Sequence, residues 1–199
     1  MQHKNHKFLL VILLILFTGI SSVYAQFKGK MTFYGSKDKR TFNVFSSDIG
    51  YRYDFDEDGR KGAVIVKQGT KEVIILMPQQ KMAMINASDS PMSMANDPLL
   101  SYKYYQESGI FKKEGEETVN GVPCTKSVLY NKDNPSQKMF TMWYSEKYKF
   151  PMKMINHIDG SEDTGMEMTE IESWEADPSK FEIPSDFRVM DMPNTMPGK

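Results

Sequence analysis

The chain has 199 residues, 25 of them basic and 26 acidic, which gives a formal net charge of −1, and it contains one cysteine. Acidic and basic side chains are interleaved and no basic block occurs, so the charge pattern of a nucleic-acid-binding surface is absent. One cysteine cannot form an internal disulfide, and the fold must therefore depend on its apolar core.

The first 25 residues have the parts of a secretory signal peptide. Residues 1–7 are basic, an apolar run follows at 8–17, and Val23 and Ala25 occupy the positions before a cleavage point. An uncleaved anchor is the alternative, but the run has about half of the ~20 residues that a membrane-spanning helix needs. No cysteine follows the run, which excludes acylation at the cleavage site. We expect an exported chain, periplasmic or secreted, that is soluble and not lipid-anchored and begins at Gln26.

After the cleavage point, apolar and polar residues alternate with period two, which predicts antiparallel β strands joined by short polar turns. Asp97 and Pro98 predict the start of a short helix over 97–107, because Asp caps helices and Pro is favoured in the first turn. We expect one mainly β domain at 26–191 and a flexible tail at 192–199. The predicted strands are 27–35, 40–47, 49–55, 63–68, 71–77, 81–86, 109–119, 124–131, 139–145, 152–158, 165–175 and 187–192.

One segment raises the question of a calcium site. Asp54, Asp56 and Asp58 alternate and precede Gly59, as in the first half of an EF-hand loop. That loop needs flanking helices and a bidentate glutamate at its twelfth position, whereas this segment lies between predicted strands and its twelfth position is Ile65. Asp-Gly favours a hairpin turn, because Gly accepts positive φ and Asp bonds to the local backbone. A weak cation site is the alternative.

Catalytic motifs are missing from the sequence. His157 is the only histidine after the signal peptide, and we find no nucleophile motif, glycine-rich phosphate loop or metal-spaced His or Cys pair. Carboxylates cluster at 114–117 and 158–175, where neighbouring glycines favour solvated turns over a pair of catalytic acids. We expect no enzymatic activity and no cofactor.

Methionine is frequent, with 16 residues, and many of these form pairs two positions apart. On a strand such a pair shares a face, and soft, unbranched side chains suit a surface that adapts to an apolar ligand. Ordinary core filling and Cu(I) binding by thioethers are the other interpretations. The best-placed thioether ligands are Met92, Met94, Met190, Met192 and Met196.

Three segments carry a resemblance to a known family: "GEETVNGVPCTKSVLY" (115–130), "MWYSEKYKFPMKM" (142–154) and "DPSKFEIPSDFRV" (177–189). In this order they resemble secreted bacterial domains of unknown function that are grouped with the LolA-like lipoprotein carriers and their LppX/LprG-like relatives. The resemblance implies a strongly curved antiparallel half-barrel whose concave side is covered by one or two short helices. It also implies an apolar cavity that holds acyl chains of lipids or lipoproteins.

If the resemblance holds, one face of the sheet encloses the cavity and the other meets water. The helix, with Leu99, Leu100, Tyr102 and Tyr105, would cover the cavity, and residues 90–97 would form its hinge. The expected lining residues are Phe42, Val44, Ile74, Leu76, Met82, Met84, Leu99, Leu100, Met142, Tyr144, Met152, Met154, Met166 and Met168.

Other conspicuous residues are assigned to structure. We expect Trp143 and Trp174 to support the fold, Gly121 and Pro123 to form turns, and Cys124 to be buried as a small apolar side chain.

Three functional hypotheses follow. The first is a non-enzymatic exported protein that binds a lipid, a lipoprotein acyl chain or another hydrophobic small molecule. The second is a methionine-rich, copper-binding protein, and the third is an interaction or scaffold domain for cell-envelope proteins that holds no ligand. Lining a cavity and filling a core require the same alternation, so the sequence leaves the first and third open.

Overall fold

The computed structural model describes residues 26–192, except 36–37, 58, 71, 90–92, 94–96 and 158–163. The predicted signal peptide, most of the predicted hinge and the residues Met92, Met94 and Met196 lie outside the described part of the chain. The same holds for the side chain of Tyr105.

The described residues are mainly β structure, as the alternation predicts. Every predicted strand is present, with ends shifted by three residues or fewer, and the predicted helix is α1 (Pro98–Ser108). Short 3₁₀ helices cover Pro78–Gln80 and Pro178–Phe181. The strands are β1 (Phe27–Tyr34), β2 (Lys39–Ser46), β3 (Gly50–Glu57), β4 (Arg60–Lys67), β5 (Glu72–Met77), β6 (Met82–Ala87), β7 (Gly109–Val119), β8 (Val122–Asn131), β9 (Lys138–Ser145), β10 (Phe150–Asn156), β11 (Gly165–Ser173) and β12 (Arg188–Asp191).

These strands form one long, open, curved sheet in the order β12-β6-β5-β4-β3-β2-β1-β11-β10-β9-β8-β7. Successive strands pair antiparallel within β1–β6 and within β7–β11, and β1 joins the two halves by pairing with both β2 and β11. The last strand, β12, returns to pair in parallel with β6. Consequently β12 and β7 are the two edges of the sheet.

The segment with alternating aspartates is a hairpin. Strands β3 and β4 pair antiparallel up to Glu57 opposite Arg60, and Gly59 has φ +76°. Asp54 accepts a hydrogen bond from Arg52 Nε at 2.6 Å. The predicted turn is confirmed, and the segment lacks the flanking helices of an EF-hand.

A second tight turn joins β7 and β8 at Asn120 and Gly121. Both residues have positive φ, +47° and +82°, which is the backbone of a type I′ turn and explains the Asn-Gly sequence. The prediction for Gly121 is confirmed, whereas the prediction for Pro123 is wrong because Pro123 lies within β8 opposite Thr118. Pairing with β9 begins only at Thr125, so no second neighbouring strand requires the missing N–H of the proline.

Apolar residues cover both faces of the sheet in strands β4 to β6. Along β4, Val64 and Val66 belong to one apolar cluster, while Ala63 and Ile65 belong to another. The first cluster includes Leu99 of α1, and we call its side of the sheet the helix face. The second includes Phe181, and we call its side the C-terminal face.

The C-terminal face is covered by residues 174–187. Phe181 is fully buried, and the Trp174 ring lies 6.2 Å from the Phe181 ring and 5.3 Å from that of Phe45. Arg52 Nη1 donates a hydrogen bond to the carbonyl of Lys180 at 2.8 Å. The structural role predicted for Trp174 is confirmed. The prediction that one face of the sheet meets water is wrong here, because this segment returns over it.

Candidate functional site

Helix α1 begins where its capping residue predicts. Asp97 Oδ1 accepts the backbone N–H groups of Leu99 at 3.0 Å and Leu100 at 2.8 Å. The same oxygen accepts a hydrogen bond from the Tyr51 hydroxyl at 2.7 Å. Burial, and then the charge of Asp97, raise the pKa of both Tyr51 and Tyr53 above the ordinary tyrosine value. These tyrosines therefore stay protonated and can donate hydrogen bonds.

The middle of α1 lies on an aromatic surface. The Tyr102 ring stacks on the Tyr144 ring, with 5.5 Å between the ring centroids. The Phe111 ring meets the Tyr102 ring edge-on, with 5.4 Å between the centroids. Tyr102, Phe111, Met142 and Met154 leave a gap of only about 10 Å³ between them. The middle of α1 is thus closely packed against the sheet.

A groove opens on the helix face beside the first turn of α1. Two cavities of about 360 and 270 Å³ meet there, and both are lined by Phe33, Arg40, Phe42 and Asp97. Other apolar side chains extend the groove in both directions, and they are Tyr53, Phe55, Val64, Val73, Ile75, Phe140 and Met154. Polar side chains line the groove as well, mainly in the larger cavity, and they are Asp38, Asn86, Ser93, Ser101, Asn156 and Thr164. The smaller cavity is therefore mainly apolar, the larger one is mixed, and Arg40 and the buried Asp97 lie where the two meet.

A smaller cavity lies near the ends of β2, β3 and β4. Its volume is about 220 Å³, and its lining includes Tyr51, Leu99, Tyr144 and Phe150. Gly50 also lines it, and a Cβ at that position would come within 2.2 Å of the carbonyl oxygen of Val66. The close approach of β3 to β4 here explains the glycine.

The residues predicted to line a cavity occupy different environments. Those that line one of the cavities described above are Phe42, Leu99, Met142, Tyr144 and Met154. Val44, Met152, Met166 and Met168 are fully buried in the first cluster, with Leu100 packed against it. A part in ligand binding stays a prediction for both groups of residues.

The positions of Ile74 and Leu76 correct the prediction for these two residues. Both lie in the second cluster, on the C-terminal face, whereas their neighbours Val73 and Ile75 line the groove. The strand sequence "VIILM" is apolar at every position because both faces are covered. Ile74 and Leu76 therefore lie away from the groove.

Met82 and Met84 lie on the helix face, close to the β12 edge. Met84 pairs with Ile75, a groove residue, and Met82 pairs with Met77. Both are half-buried.

The prediction did not include Phe33, Arg40 or Tyr53, which help to form the groove. Phe33 lies two positions after Met31 on β1, and Arg40 lies two positions before Phe42 on β2. Residues two apart on a strand share a face, so period two could have identified Phe33 and Arg40. Phe33 also pairs across strands with Met166, and its ring contacts that of Phe42 at 5.5 Å.

The described residues contain no group of three or more His, Cys, Asp or Glu side chains that could hold a metal ion. His157 Nε2 lies 2.7 Å from the Thr141 hydroxyl. The thiol of Cys124 is 1% exposed and burial raises its pKa to about 11, which confirms the predicted packing role. Trp143 is also buried, and its indole N–H donates to Glu117 at 2.7 Å.

The same part of the chain has no helix that is both long and apolar enough to cross a membrane.

No protein-family model and no curated protein sequence matches the chain. An uncharacterized conserved protein from Thermus thermophilus has a similar structure, with a TM-score of 0.55 and 11% identity over 92% of this chain and 99% of that chain. The MucA/MucB complex of Pseudomonas aeruginosa gives a TM-score of 0.50 and 14% identity over 83% of this chain. This chain spans 58% of the matched chain in that complex.

The resemblance to LolA-like proteins is also found among solved structures. A LolA superfamily protein from Nitrosomonas europaea is 10% identical over 80% of this chain and 90% of that chain, with a TM-score of 0.42. The likeness to the structures with TM-scores of 0.55 and 0.50 shows the fold, and the ligand has to be argued from the residues themselves.

Proposed function

We propose that this chain is a non-enzymatic, exported binding protein that holds a hydrophobic ligand in the groove of the helix face. The proposed ligand is a lipid, the acyl chain of a lipoprotein or another hydrophobic small molecule. The observation that carries the proposal is the pair of adjoining cavities, of about 360 and 270 Å³, which share Phe33 and Phe42 and of which the smaller is lined mainly by apolar and aromatic side chains. Sites for small apolar ligands have this size and composition.

The arrangement of α1 supports a binding role. Its first turn is fixed by Asp97, and its middle is packed on Tyr144, so the helix forms one wall of an open groove. The groove lies over the strands at the join of the two halves of the sheet, where Phe33 of β1 meets Phe42 of β2. An elongated apolar chain can lie along these strands against a helix that is already in place.

The test is native mass spectrometry of residues 26–199 exported to the periplasm of the host, followed by organic extraction. Phe42→Asp places a charge in the groove, and Asn43→Asp places the same charge at the next, exposed position of β2 as a matched control. The proposal predicts a bound mass in the lipid range that extraction removes, with occupancy reduced at least fivefold by Phe42→Asp only. Retained secondary structure by circular dichroism shows that both variants fold.

An unoccupied wild-type protein with no lipid in the extract would contradict the proposal. Equal occupancy in both variants would place the ligand elsewhere and would contradict the assignment of the groove.

A second candidate function is an interaction domain for other envelope proteins. The β12 edge favours it, because Val189 and Met190 are 49% and 36% exposed there and an edge strand presents unpaired backbone groups. The solved MucA/MucB complex shows that a protein of related fold can associate with another protein. A photo-crosslinking residue at Val189 should capture one defined partner, while the same residue at Ile110 of the β7 edge should not. Equal capture at Val189 and Ile110, or no capture at either position, would exclude this candidate function.

A further inference from the structure

Several methionines meet on the helix face at the β12 edge, and this cluster lies outside the groove lining. Within β5 and β6, Met77 pairs with Met82. Across the next pair of strands, Met84 lies beside Met190. Met192 follows Met190 by two positions, and its backbone N–H donates to the carbonyl of Ile85 at 2.9 Å.

The strand register places Met77, Met82, Met84 and Met190 on one face, and Met192 follows directly after β12. Residues that pair across strands point to the same side of a sheet, and residues two apart along a strand do so as well. Ile75, which pairs with Met84, lines the groove, so the common side is the helix face. We call Met77, Met82, Met84, Met190 and Met192 the edge methionines.

The distances within a sheet allow their thioethers to converge. Neighbouring strands lie about 4.8 Å apart, and residues two apart on a strand are separated by roughly 6.7 Å. Rotation about the Cα–Cβ and Cβ–Cγ bonds of each unbranched methionine side chain moves its sulfur, so sulfur atoms from positions around Met84 can approach one point. Met82, Met84 and Met190 occupy three adjacent positions of this kind.

Exposure is the second relevant property. Met190 is 36% exposed and Met192 is 40% exposed, while Met77, Met82 and Met84 are half-buried. The fully buried methionines Met152, Met166 and Met168 show how this chain uses the residue to fill its core. The edge methionines differ from these because an ion can reach them from solvent.

We propose that the edge methionines form a site for a soft monovalent cation, Cu(I), with Met82, Met84 and Met190 as its thioether ligands. Thioethers select Cu(I) over the harder divalent ions, and no charged ligand is needed to hold it. Arg188 pairs with Met82 and shares its face, so the affinity for Cu(I) must come from the thioethers and not from a nearby negative charge. Met192 can supply a fourth thioether or close the site toward solvent.

The experiment uses Ag(I) as a probe, because it shares the ligand preference of Cu(I) and is stable in air. Ag(I) is titrated into residues 26–199 with methyl-¹³C-labelled methionine, and binding is followed by native mass spectrometry and by the methyl NMR signals. Cu(I) is then measured under a reductant by competition with a chromogenic chelator. The variants are Met84→Leu with Met190→Leu, and Met139→Leu on the remote strand β9 as the control.

The proposal predicts one tightly bound Ag(I), with shifts confined to the methyl signals of the edge methionines. The double variant should bind at least tenfold more weakly, and Met139→Leu should bind as the wild type does. Leu and Met are similar in volume, so both variants should remain folded. Equal affinity in the double variant, shifts spread over methionines elsewhere, or affinity no greater than that of free methionine would each overturn the proposal. All of these results are independent of lipid in the groove.

Discussion

The Tyr51 hydroxyl donates a hydrogen bond to Asp97 Oδ1 at 2.7 Å, and both side chains are buried, at 8% and 3% exposure. The same oxygen caps the first turn of α1 through the N–H of Leu100. One carboxylate therefore joins strand β3 to the start of the helix that forms one wall of the groove.

Removing this carboxylate should destabilise the protein more than removing the hydroxyl. Asp97→Ala loses the helix cap and leaves the Tyr51 hydroxyl buried without this acceptor, which predicts a loss of about 2–4 kcal/mol in the free energy of unfolding. Tyr51→Phe should lose about 1 kcal/mol. Urea unfolding measures both, and Asp97→Asn, which keeps a capping oxygen, is the control. Equal losses in Asp97→Ala and Tyr51→Phe would show that the cap does not hold the helix.

Stability should fall in alkaline solution because of the same buried tyrosines. The pKa of Tyr51 is raised well above 10.0, chiefly by burial, so Tyr51 keeps its proton in the folded state where the unfolded chain loses it. Stability from this group is complete below about pH 10 and declines above it by about 1.4 kcal/mol per pH unit. Urea unfolding at pH 9, 10 and 11 should show a shallower decline for Tyr51→Phe than for the wild type. Parallel pH profiles for the wild type and Tyr51→Phe would contradict the assignment of the alkaline loss of stability to Tyr51.

The segment over the C-terminal face should be essential to stability. Phe181 is fully buried against the second cluster, and Phe181→Ala should cost about 3–5 kcal/mol. Val189→Ala, at a position 49% exposed, should change stability by less than about 0.5 kcal/mol. Thermal and urea unfolding compare the two variants. A small effect of Phe181→Ala would mean that residues 174–187 do not complete the core.

Methionine oxidation should follow exposure. Met190 and Met192 are 36% and 40% exposed, whereas Met152, Met166 and Met168 are fully buried. Dilute hydrogen peroxide should therefore oxidise the first two at least about tenfold faster. Peptide mass spectrometry over a time course measures each site. Similar rates at all five positions would contradict the packing of the sheet.

Much of the secondary structure could be predicted because its causes are local. Period two identifies the strands, and Asp97 with Pro98 identifies the start of α1. Gly121 is likewise predicted in a turn, and it adopts positive φ there. Each of these signals needs only a few neighbouring residues.

The assignment of faces could not be predicted with the same success. Val73, Ile74, Ile75 and Leu76 are all apolar, so the sequence does not tell which of them face the groove. The answer depends on residues 174–187, which return from a distant part of the chain to cover the other side. The parallel pairing of β12 with β6 and the bond from Tyr51 to Asp97 likewise join residues far apart in sequence.

The groove on the helix face is the proposed site for an apolar chain. The most direct measurement is photo-crosslinking of the purified chain with a fatty acid that carries a diazirine near its methyl end, followed by peptide mass spectrometry. We expect labels on β1, β2 and β10, around Phe33, Phe42 and Met154, and their loss in Phe42→Asp. Labelling confined to residues 174–187, or no saturable labelling at all, would contradict it.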